Sequence, residues 1–257
     1  MMNFHWRNYT DSDKSLVESW FDEETRRLTG CGDGWAEFYS YWMDREDTRS
    51  GENFWSLLAC EEDVPAAVFV IAESDGMFTF SECAVDPQKR GRGIGKESLA
   101  ELVVSARTIL GKPIREALAV IFPDNVQSQK IFQSAGFRHA GTHPDGDAMY
   151  YVYAESMECY CGHDCSRCVT RWASRLGLAS LRESAVRFYR DTVGRTICEG
   201  EVHCEGGRTE AVFSLCGECP FARCCKNTGL DSCRQCQNPC AEYQTYKANF
   251  VNRCHQI

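Results

Sequence analysis

The sequence predicts a mixed α/β module followed by a small cysteine-rich module, and three observations support this division. Apolar runs of strand length alternate with amphipathic helical runs through the first 155 residues. A glycine-rich turn, residues 85–95 (VDPQKRGRGIG), joins one such strand to one such helix. Of the 17 cysteines, all but three lie at or after Cys159. We therefore predict two domains, residues 1–155 and 156–257.

Charge divides the chain at the same place. Residues 1–155 carry 15 Lys and Arg against 26 Asp and Glu, whereas residues 156–257 carry 13 against 11. The net charge of −11 on the first module favours a cationic partner. No apolar run approaches membrane-spanning length, and the N-terminus lacks a signal-peptide pattern. The sequence thus predicts a cytoplasmic protein without a membrane partner, and it leaves the oligomeric state open.

Hydrophobic periodicity and turn residues define the elements of the first module. The first half is predicted to contain a strand at 4–9, a helix at 15–28 capped by Asp11 or Ser12, a helix at 35–47, and strands at 54–62 and 65–74 joined by a turn at 63–65. A strand at 77–85, a helix at 96–110 and a strand at 114–122 follow. The module then closes with a helix that Asp124 or Asn125 caps and Gly136 ends, and with a hairpin around 143–147.

The glycine-rich turn also predicts an anion site. Its glycines let the backbone approach a ligand closely, and the helix that follows supplies unpaired N–H groups and the positive end of its dipole. Four cations lie in or beside the turn: Lys89, Arg90, Arg92 and Lys96. A Walker loop is excluded because Glu97 stands where that motif needs a serine or threonine. The turn therefore predicts a pyrophosphate site.

The segment Arg90-x-x-Gly93-x-Gly95 resembles the pyrophosphate loop of the GNAT-type N-acetyltransferase superfamily. A second segment, residues 125–137 (NVQSQKIFQSAGF), follows at the spacing of that family's next motif. The resemblance covers residues 1–155 and implies the GNAT fold, an α/β architecture with a mixed central sheet. It also implies that the acetyl group of acetyl-coenzyme A passes to a primary amine of a small molecule or peptide by direct attack.

The resemblance further implies which residues bind coenzyme A. The strand before the loop pairs with the pantetheine arm through its backbone, and the loop amides hold the pyrophosphate. The implied coenzyme A residues are Cys83, Val85, Arg90, Gly91, Arg92, Gly93, Ile94, Gly95, Lys96, Asn125, Ser128 and Phe132.

The base and the acid stay open at the sequence level. Glu82 is the carboxylate of the strand that leads into the loop, and simple alternation places it opposite Thr79, Ser81 and Cys83. Family members with a base on this strand use the face of Ser81. The family's tyrosine acid is replaced by Phe132, so a tyrosine of the last strand could substitute, or coenzyme A could leave as thiolate. The candidate catalytic residues are Glu82, Ser81, Tyr150 and Tyr151, with Tyr153 as a further possible acid.

Cysteine spacing organises the second module. It contains three C-x-x-C pairs, 165/168, 216/219 and 233/236, and such pairs direct two thiolates at one tetrahedral metal. Without an export signal disulfides are disfavoured, so we predict zinc. An iron–sulfur cluster is an alternative because it uses the same thiolates. The spacing 161/165/168 matches that of radical-SAM enzymes, but too few residues remain for their barrel. The predicted ligands are Cys161, Cys165, Cys168, Cys219, Cys224, Cys233, Cys236 and Cys240, with Cys159, Cys204 and Cys216 in reserve and Cys225 as a bystander.

Residues 158–245 are also similar to a family of small bacterial cysteine-rich domains of unknown function. We predict a mainly helical and irregular domain, in which a capping box at Ser180 and Glu183 starts a helix that ends at Gly194. Arginines give this region a basic face, which favours a solvated or docked surface over nucleic-acid binding. Two alternative functions stay open, a metal or redox sensor and a nucleic-acid adaptor.

Overall fold

A computed structural model describes residues 3–46, 53–248 and 257. The chain forms two compact units, one of residues 1–139 with 145–153 and the other of residues 140–144 with 154–257. The division into domains 1–155 and 156–257 stays a prediction. None of the helices formed by the described residues has the length and apolarity that crossing a bilayer requires.

A seven-stranded mixed sheet forms the centre of the first unit and confirms the predicted α/β class. The strands are β1 (His5–Asn8), β2 (Asn53–Glu61), β3 (Val64–Ser74), β4 (Met77–Val85), β5 (Glu116–Ile121), β6 (Arg138–Thr142) and β7 (Met149–Ala154). Their order across the sheet is β1-β2-β3-β4-β5-β7-β6. The first four strands pair antiparallel, and β4 pairs parallel with β5. The parallel pair requires a crossover, and helices supply it.

The helices of the first unit are α1 (Lys14–Glu18), α2 (Glu23–Leu28), α3 (Trp35–Glu46), α4 (Ile94–Val104), α5 (Ala106–Ile109) and α6 (Val126–Ser134). The second unit contains α7 (Val169–Leu176), α8 (Ala179–Phe188), α9 (Ser214–Gly217), α10 (Pro220–Thr228) and α11 (Ala241–Tyr246). This mainly helical content confirms the class predicted for the C-terminal region.

Two apolar clusters cover the faces of the sheet. On one face, Leu99 of α4 and Phe132 of α6 pack with side chains of β3, β4 and β5. On the other face, Trp20 and Trp35 pack with Val68 and other side chains of β2 and β3. Because β3 is buried on both faces, its sequence is apolar almost throughout, as expected for a central strand.

The predicted single helix at 15–28 is wrong, because the structure divides it into α1 and α2. Asp22 lies between them and accepts the Thr25 N–H at 2.8 Å, which makes it the N-cap of a second helix. The hairpin turn is also one residue earlier than predicted. Glu62 and Asp63 have φ of 47° and 68°, the left-handed pair that a two-residue hairpin needs.

The predicted capping box at Ser180 is also wrong. Helix α8 begins at Ala179, so Ser180 lies inside its first turn, and Leu178 occupies the N-cap position. The predicted end at Gly194 is confirmed. One wider turn (Tyr189–Val193) continues the helix, and Gly194 closes it with φ of 72°, where a residue without Cβ avoids strain.

Candidate functional site

Strands β4 and β5 separate part-way along their length. Their parallel ladder ends at the pair Phe80 and Ala119, although β4 continues for five more residues. The register between β3 and β4 skips Ser81, because consecutive residues of β3 pair with Phe80 and Glu82. An extra residue of this kind bends the strand that carries it. The two strands therefore open a wedge at their carboxyl ends.

A small pocket lies in this wedge, between the ends of β4 and β5 and the start of α6. The predicted site residues in its walls are Ser81, Glu82, Cys83, Asn125, Ser128 and Phe132. The Ser81 hydroxyl is buried and has no hydrogen-bond partner among the described residues. A buried hydroxyl without a partner is costly, so a polar group of a bound molecule would satisfy it.

The bulge also changes which side chains of β4 share a face. Phe80, Cys83 and Val85 contribute to one apolar cluster of the sheet, whereas Ala84 contributes to the other. The strict alternation predicted from the sequence is therefore wrong across Ser81, since the extra residue inverts it. Glu82 shares the face of Ala84, where the first helices of the chain pack.

Glu82 is a buried carboxyl, with 6% of its surface exposed. Its Oε1 accepts the N–H of Cys83 at 2.8 Å, and its Oε2 accepts the thiol of Cys31 at 3.3 Å. Burial raises the pKa of Glu82 to about 7, although hydrogen bonds from Cys31, Cys83 and Gly30 act in the opposite direction. A carboxyl that titrates near neutral pH is suited to accept a proton during a reaction.

Cys31 is a functional candidate that sequence reasoning missed. It lies 51 residues before Glu82, belongs to no motif, and is buried. Burial and the charge of Glu82 raise the pKa of its thiol, so it stays neutral and donates its proton to the carboxylate. No spacing or periodicity links the two residues, so their contact follows from the tertiary fold alone.

The glycine-rich turn forms an open concave backbone at the start of α4. Gly91 and Gly93 have φ of 76° and 86°, and no atom lies within 4 Å of the positions where their Cβ atoms would stand. Gly95 differs, since a Cβ there would approach the Val85 side chain to 3.2 Å. Ile94, the first residue of α4, is buried in the core. The turn therefore leaves space beside Gly91 and Gly93 for a ligand.

Three of the predicted cations are engaged by the protein itself. Lys89 donates a hydrogen bond to the Pro65 carbonyl at 3.0 Å. Arg90 donates a hydrogen bond to the Thr25 hydroxyl at 2.6 Å. Arg92 donates two hydrogen bonds to the Glu61 carboxylate, at 2.9 and 3.1 Å. Lys96 is exposed in the first turn of α4. These contacts hold the turn in place, while the amides at the helix start and Lys96 can meet an anion.

Helix α6 brings a hydroxyl and an aromatic ring to the pocket. Asn125 caps the helix, accepting the Ser128 N–H at 3.1 Å and donating to the Leu28 carbonyl at 2.8 Å. Ser128 and Phe132 are four residues apart, so they share one face. The Phe132 ring packs edge-to-face on Phe80, with 5.6 Å between centroids.

The tyrosines of β7 lie elsewhere in the unit. Tyr151 is buried in the core, 5.5 Å from the His139 ring, and burial raises its pKa. Tyr153 packs on Phe137 at 5.6 Å, and Tyr150 is half-buried. None of the three tyrosines belongs to the described walls of the wedge pocket.

The cysteines of the second unit fall into two groups. Cys161, Cys165, Cys168 and Cys219 line one cavity together with the reserve candidates Cys159, Cys204 and Cys216. Cys233 instead lies 3.6 Å from Cys225, the predicted bystander. Cys224 and Cys240 are exposed, and Cys236 is half-buried.

A single zinc ion does not fit this arrangement. Within residues 3–46, 53–248 and 257, no three Cys, His, Asp or Glu side chains are placed to hold one metal ion. Thiols are suitable donors for zinc, but a tetrahedral ion needs them gathered around one point. The zinc prediction therefore receives no support from the described residues.

Residues 7–137 match the family model described as the acetyltransferase (GNAT) family. This match spans half of the chain, and the chain therefore belongs to the GNAT family of acetyltransferases. It is an acyltransferase that acts on amines, which confirms the predicted enzyme class. Residues 157–245 match a second family model, described as a protein of unknown function (DUF3795).

The chain is also similar to individual proteins. The uncharacterized N-acetyltransferase YfmK of Bacillus subtilis (strain 168) is 31% identical over 136 residues, which are 51% of this chain and 83% of that protein. Aminoglycoside acetyltransferase AAC(6')-Ib in complex with coenzyme A is 17% identical, with a TM-score of 0.48, and the match covers 60% of this chain and 95% of that chain. Spermidine N-acetyltransferase from Vibrio cholerae in complex with CoA and spermine is 10% identical, with a TM-score of 0.46 and 58% and 94% coverage.

Proposed function

We propose that the protein transfers the acetyl group of acetyl-coenzyme A to a primary amine in the wedge between β4 and β5. The observation that carries this proposal is the separation of the two strands beside the glycine turn. A thioester could lie in the wedge while its pyrophosphate meets the amides at the start of α4. Membership of the GNAT family supports the same arrangement, with the thioester in the wedge and the pyrophosphate at the glycine-rich turn.

The exposed backbone of β4 provides partners for the pantetheine arm. Beyond Phe80 this strand loses its β5 neighbour, so the carbonyl group of Cys83 and the backbone of Val85 can pair with the amides of the arm. The pyrophosphate then reaches Gly91 and Gly93, where substitution of any side chain would reduce the space. Lys96 adds a positive charge near the phosphates.

Glu82 serves as the general base in this proposal. The acceptor amine must lose a proton before its lone pair can attack the thioester carbonyl, and Glu82 takes that proton directly or through one water. The carbon–nitrogen bond forms, the nitrogen releases a further proton to solvent, the carbon–sulfur bond of the tetrahedral intermediate breaks, and coenzyme A leaves as a thiolate. Because the pKa of Glu82 is about 7, this carboxyl can be ionised at neutral pH and can still hold the proton after the transfer.

Coenzyme A leaves as a thiolate in this proposal. Phe132, which occupies the position of the family's acid, has no proton to donate, and the tyrosines of β7 lie away from the pocket walls. A thiol is more acidic than the ammonium form of an amine, so a thiolate can leave the tetrahedral intermediate without a proton donor. The hydroxyls of Ser81 and Ser128 are the polar groups of the pocket that can donate hydrogen bonds to the sulfur or the carbonyl.

The acceptor is a cationic amine, either small or part of a peptide. The net charge of −11 on residues 1–155 attracts cations and raises their local concentration near the unit. Such attraction depends on ionic strength, so KM for the acceptor should rise with added salt.

A direct test is a screen of polyamines, aminoglycosides, amino acids and basic peptides for coenzyme A release, with the acetylated product confirmed by mass spectrometry. We expect an N-acetyl product from at least one cationic amine. Binding of acetyl-coenzyme A without any N-acetyl product across the screen would contradict the amine acceptor class. Absence of acetyl-coenzyme A binding in calorimetry would contradict the assignment of the wedge.

A further inference from the structure

The second unit contains a cavity of about 410 Å³ whose wall includes seven cysteines. They come from three separate segments of the chain, and they are Cys159, Cys161, Cys165, Cys168, Cys204, Cys216 and Cys219. All three segments contribute to one wall, which shows that they converge. This concentration of thiols is not explained by the acyl transfer proposed above.

Three of these thiols lie beside backbone N–H groups. Cys165 accepts the N–H of Gly207 at 3.3 Å. Cys168 occupies the N-cap position of α7, and Cys219 occupies that of α10. The positive end of a helix dipole beside the cavity suits a negatively charged cluster.

The size of the cavity distinguishes one metal ion from a cluster. A tetrahedral zinc site is filled by its four sulfurs, about 2.3 Å from the ion, and leaves no cavity of ligand size. Here the thiols surround a large volume, and no three of the described donors meet at one point. A cluster of several irons and sulfides takes one thiolate on each of several irons, so it does not require three thiols at one point.

The rest of the wall suits a buried, negatively charged cluster. Val169, Phe188 and Phe213 make much of it apolar, which limits the access of water. Arg171, with 2% of its surface exposed, brings a guanidinium to the same wall. A cluster held by four thiolates carries net negative charge, and a buried cation compensates part of it.

We infer that this cavity holds an iron–sulfur cluster bound by Cys161, Cys165, Cys168 and Cys219. The spacing 161/165/168 presents three thiolates from one loop, and Cys219 supplies the fourth from another segment. Cys159 lines the same wall, but its Sγ lies 3.1 Å from that of Cys161, too close for both to serve as separate corners of one cluster. The inference does not depend on the acetyl transfer.

The test is metal analysis of the full chain purified without oxygen and without added metal. We expect about four irons and four acid-labile sulfides per chain, with a visible absorption band that dithionite bleaches and an electron paramagnetic resonance signal after reduction. Zinc in place of iron, or free or disulfide-bonded thiols without iron after anaerobic reconstitution with iron and sulfide, would overturn the inference.

Two alanine variants locate the cluster. Cys165→Ala should lose most of the iron, whereas Cys236→Ala, which changes a C-x-x-C cysteine outside the cavity wall, should keep it. Acetyl-coenzyme A binding and circular dichroism show whether each chain is folded. Equal loss of iron in both folded variants would place the metal elsewhere. If Cys165→Ala does not fold, the iron and sulfide content of the unaltered protein still decides.

Discussion

The candidate site in the wedge of the first unit and the cysteine-lined cavity of the second unit differ in which atoms can face a ligand. In the wedge, the groups are mostly backbone amides, fixed by the bulge at Ser81 and by the left-handed residues Gly91 and Gly93. In the second unit, the groups are sulfur atoms at the ends of side chains that surround a cavity.

This difference has a consequence for how each site depends on its ligand. Backbone geometry in the wedge is set by strand pairing and a helix start, so the site is formed before acetyl-coenzyme A arrives. Thiols around a cavity contribute little packing of their own, and metal binding would supply folding free energy. We therefore expect ligand removal to destabilise the second unit far more than the first.

Glu82→Gln should give the largest effect. It removes the proposed base while keeping the shape of the side chain, and kcat should fall at least about 100-fold. In the unaltered enzyme kcat should rise with pH through about 7, as Glu82 ionises, and the variant should lack this limb. Steady-state kinetics with the acceptor identified by the screen measures both.

Glu73→Gln is the matched control for this prediction. Glu73 is also a buried carboxyl, but it bonds Lys112 at 2.7 Å on a different part of the sheet. The kcat of Glu73→Gln should stay near that of the unaltered enzyme. A similar loss of kcat in both variants, or full turnover in Glu82→Gln, would remove Glu82 from the role of base.

Stability should respond to the same two substitutions with opposite signs. Burial raises the pKa of Glu82 from 4.5 to about 7, so its contribution to stability is present below pH 4.5 and is lost as pH rises through 7. Glu82→Gln should therefore gain stability over the unaltered protein across this range, on the order of 3 kcal/mol at pH 8. Its amide can still accept the Cys83 N–H.

Glu73 should contribute to stability with the opposite pH dependence. The hydrogen bond from Lys112 lowers the pKa of Glu73, so the contribution of this carboxylate is present above pH 4.5 and is lost on acidification. Glu73→Gln should lose stability at pH 8 and lose less at low pH. Urea unfolding at pH 5 and pH 8 compares the two variants, and changes of the same sign at pH 8 would contradict this account.

The sequence predicted the wedge better than the base. The spacing of Arg90, Gly93 and Gly95 reflects dihedral and packing demands of the backbone, so a short motif carries it. The role proposed for Glu82 depends on a one-residue bulge and on Cys31, far away in the chain, and neither has a local signature. Alternation therefore misassigned the faces of β4.

Cysteine spacing had a similar limit in the second unit. The opening segment correctly placed Cys161, Cys165 and Cys168 together, because neighbours in one loop stay close. Which distant cysteines join them depends on tertiary structure, and the cavity brings Cys219 but not Cys224 or Cys240. Local pattern also failed at Asp22, where a carboxyl inside an apparently continuous helical run starts a new helix.

Gly93→Ala should weaken acetyl-coenzyme A binding about tenfold, a change of about 1.4 kcal/mol. Its φ of 86° strains any L-residue, and the added methyl group enters the space proposed for the pyrophosphate. Gly111→Ala is the control, since Gly111 has φ of 80° and equally open surroundings. Both variants should lose similar stability, but only Gly93→Ala should bind acetyl-coenzyme A more weakly in calorimetry. Equal Kd values for the two variants would show that the turn does not bind acetyl-coenzyme A.

Cys31 substitutions should produce a smaller, directional effect. The thiol hydrogen bond favours the ionised form of Glu82, so Cys31→Ala should move the acid limb of the kcat profile to higher pH, by about half a unit. Cys31→Ser, a stronger donor, should move it to lower pH. Cys60→Ala, which changes another buried cysteine of the same apolar cluster, should leave it in place. Shifts of the same direction in the alanine and serine variants would show that packing, and not the hydrogen bond, controls Glu82.

Tyrosine substitutions on β7 should have the smallest effect. Tyr150→Phe and Tyr151→Phe should keep kcat within about twofold, because a thiol has a pKa of about 8.5 and the proposed leaving group departs as a thiolate without a proton donor. Tyr151 lies in the core, so Tyr151→Phe can lower the stability of the protein. Rates should therefore be compared at temperatures well below the unfolding midpoint. Phe132→Tyr, which adds a hydroxyl to the pocket wall, should be tolerated. A tenfold loss of kcat in either tyrosine variant, with unchanged acetyl-coenzyme A affinity, would instead assign that residue as the proton donor and reverse the proposed departure of coenzyme A.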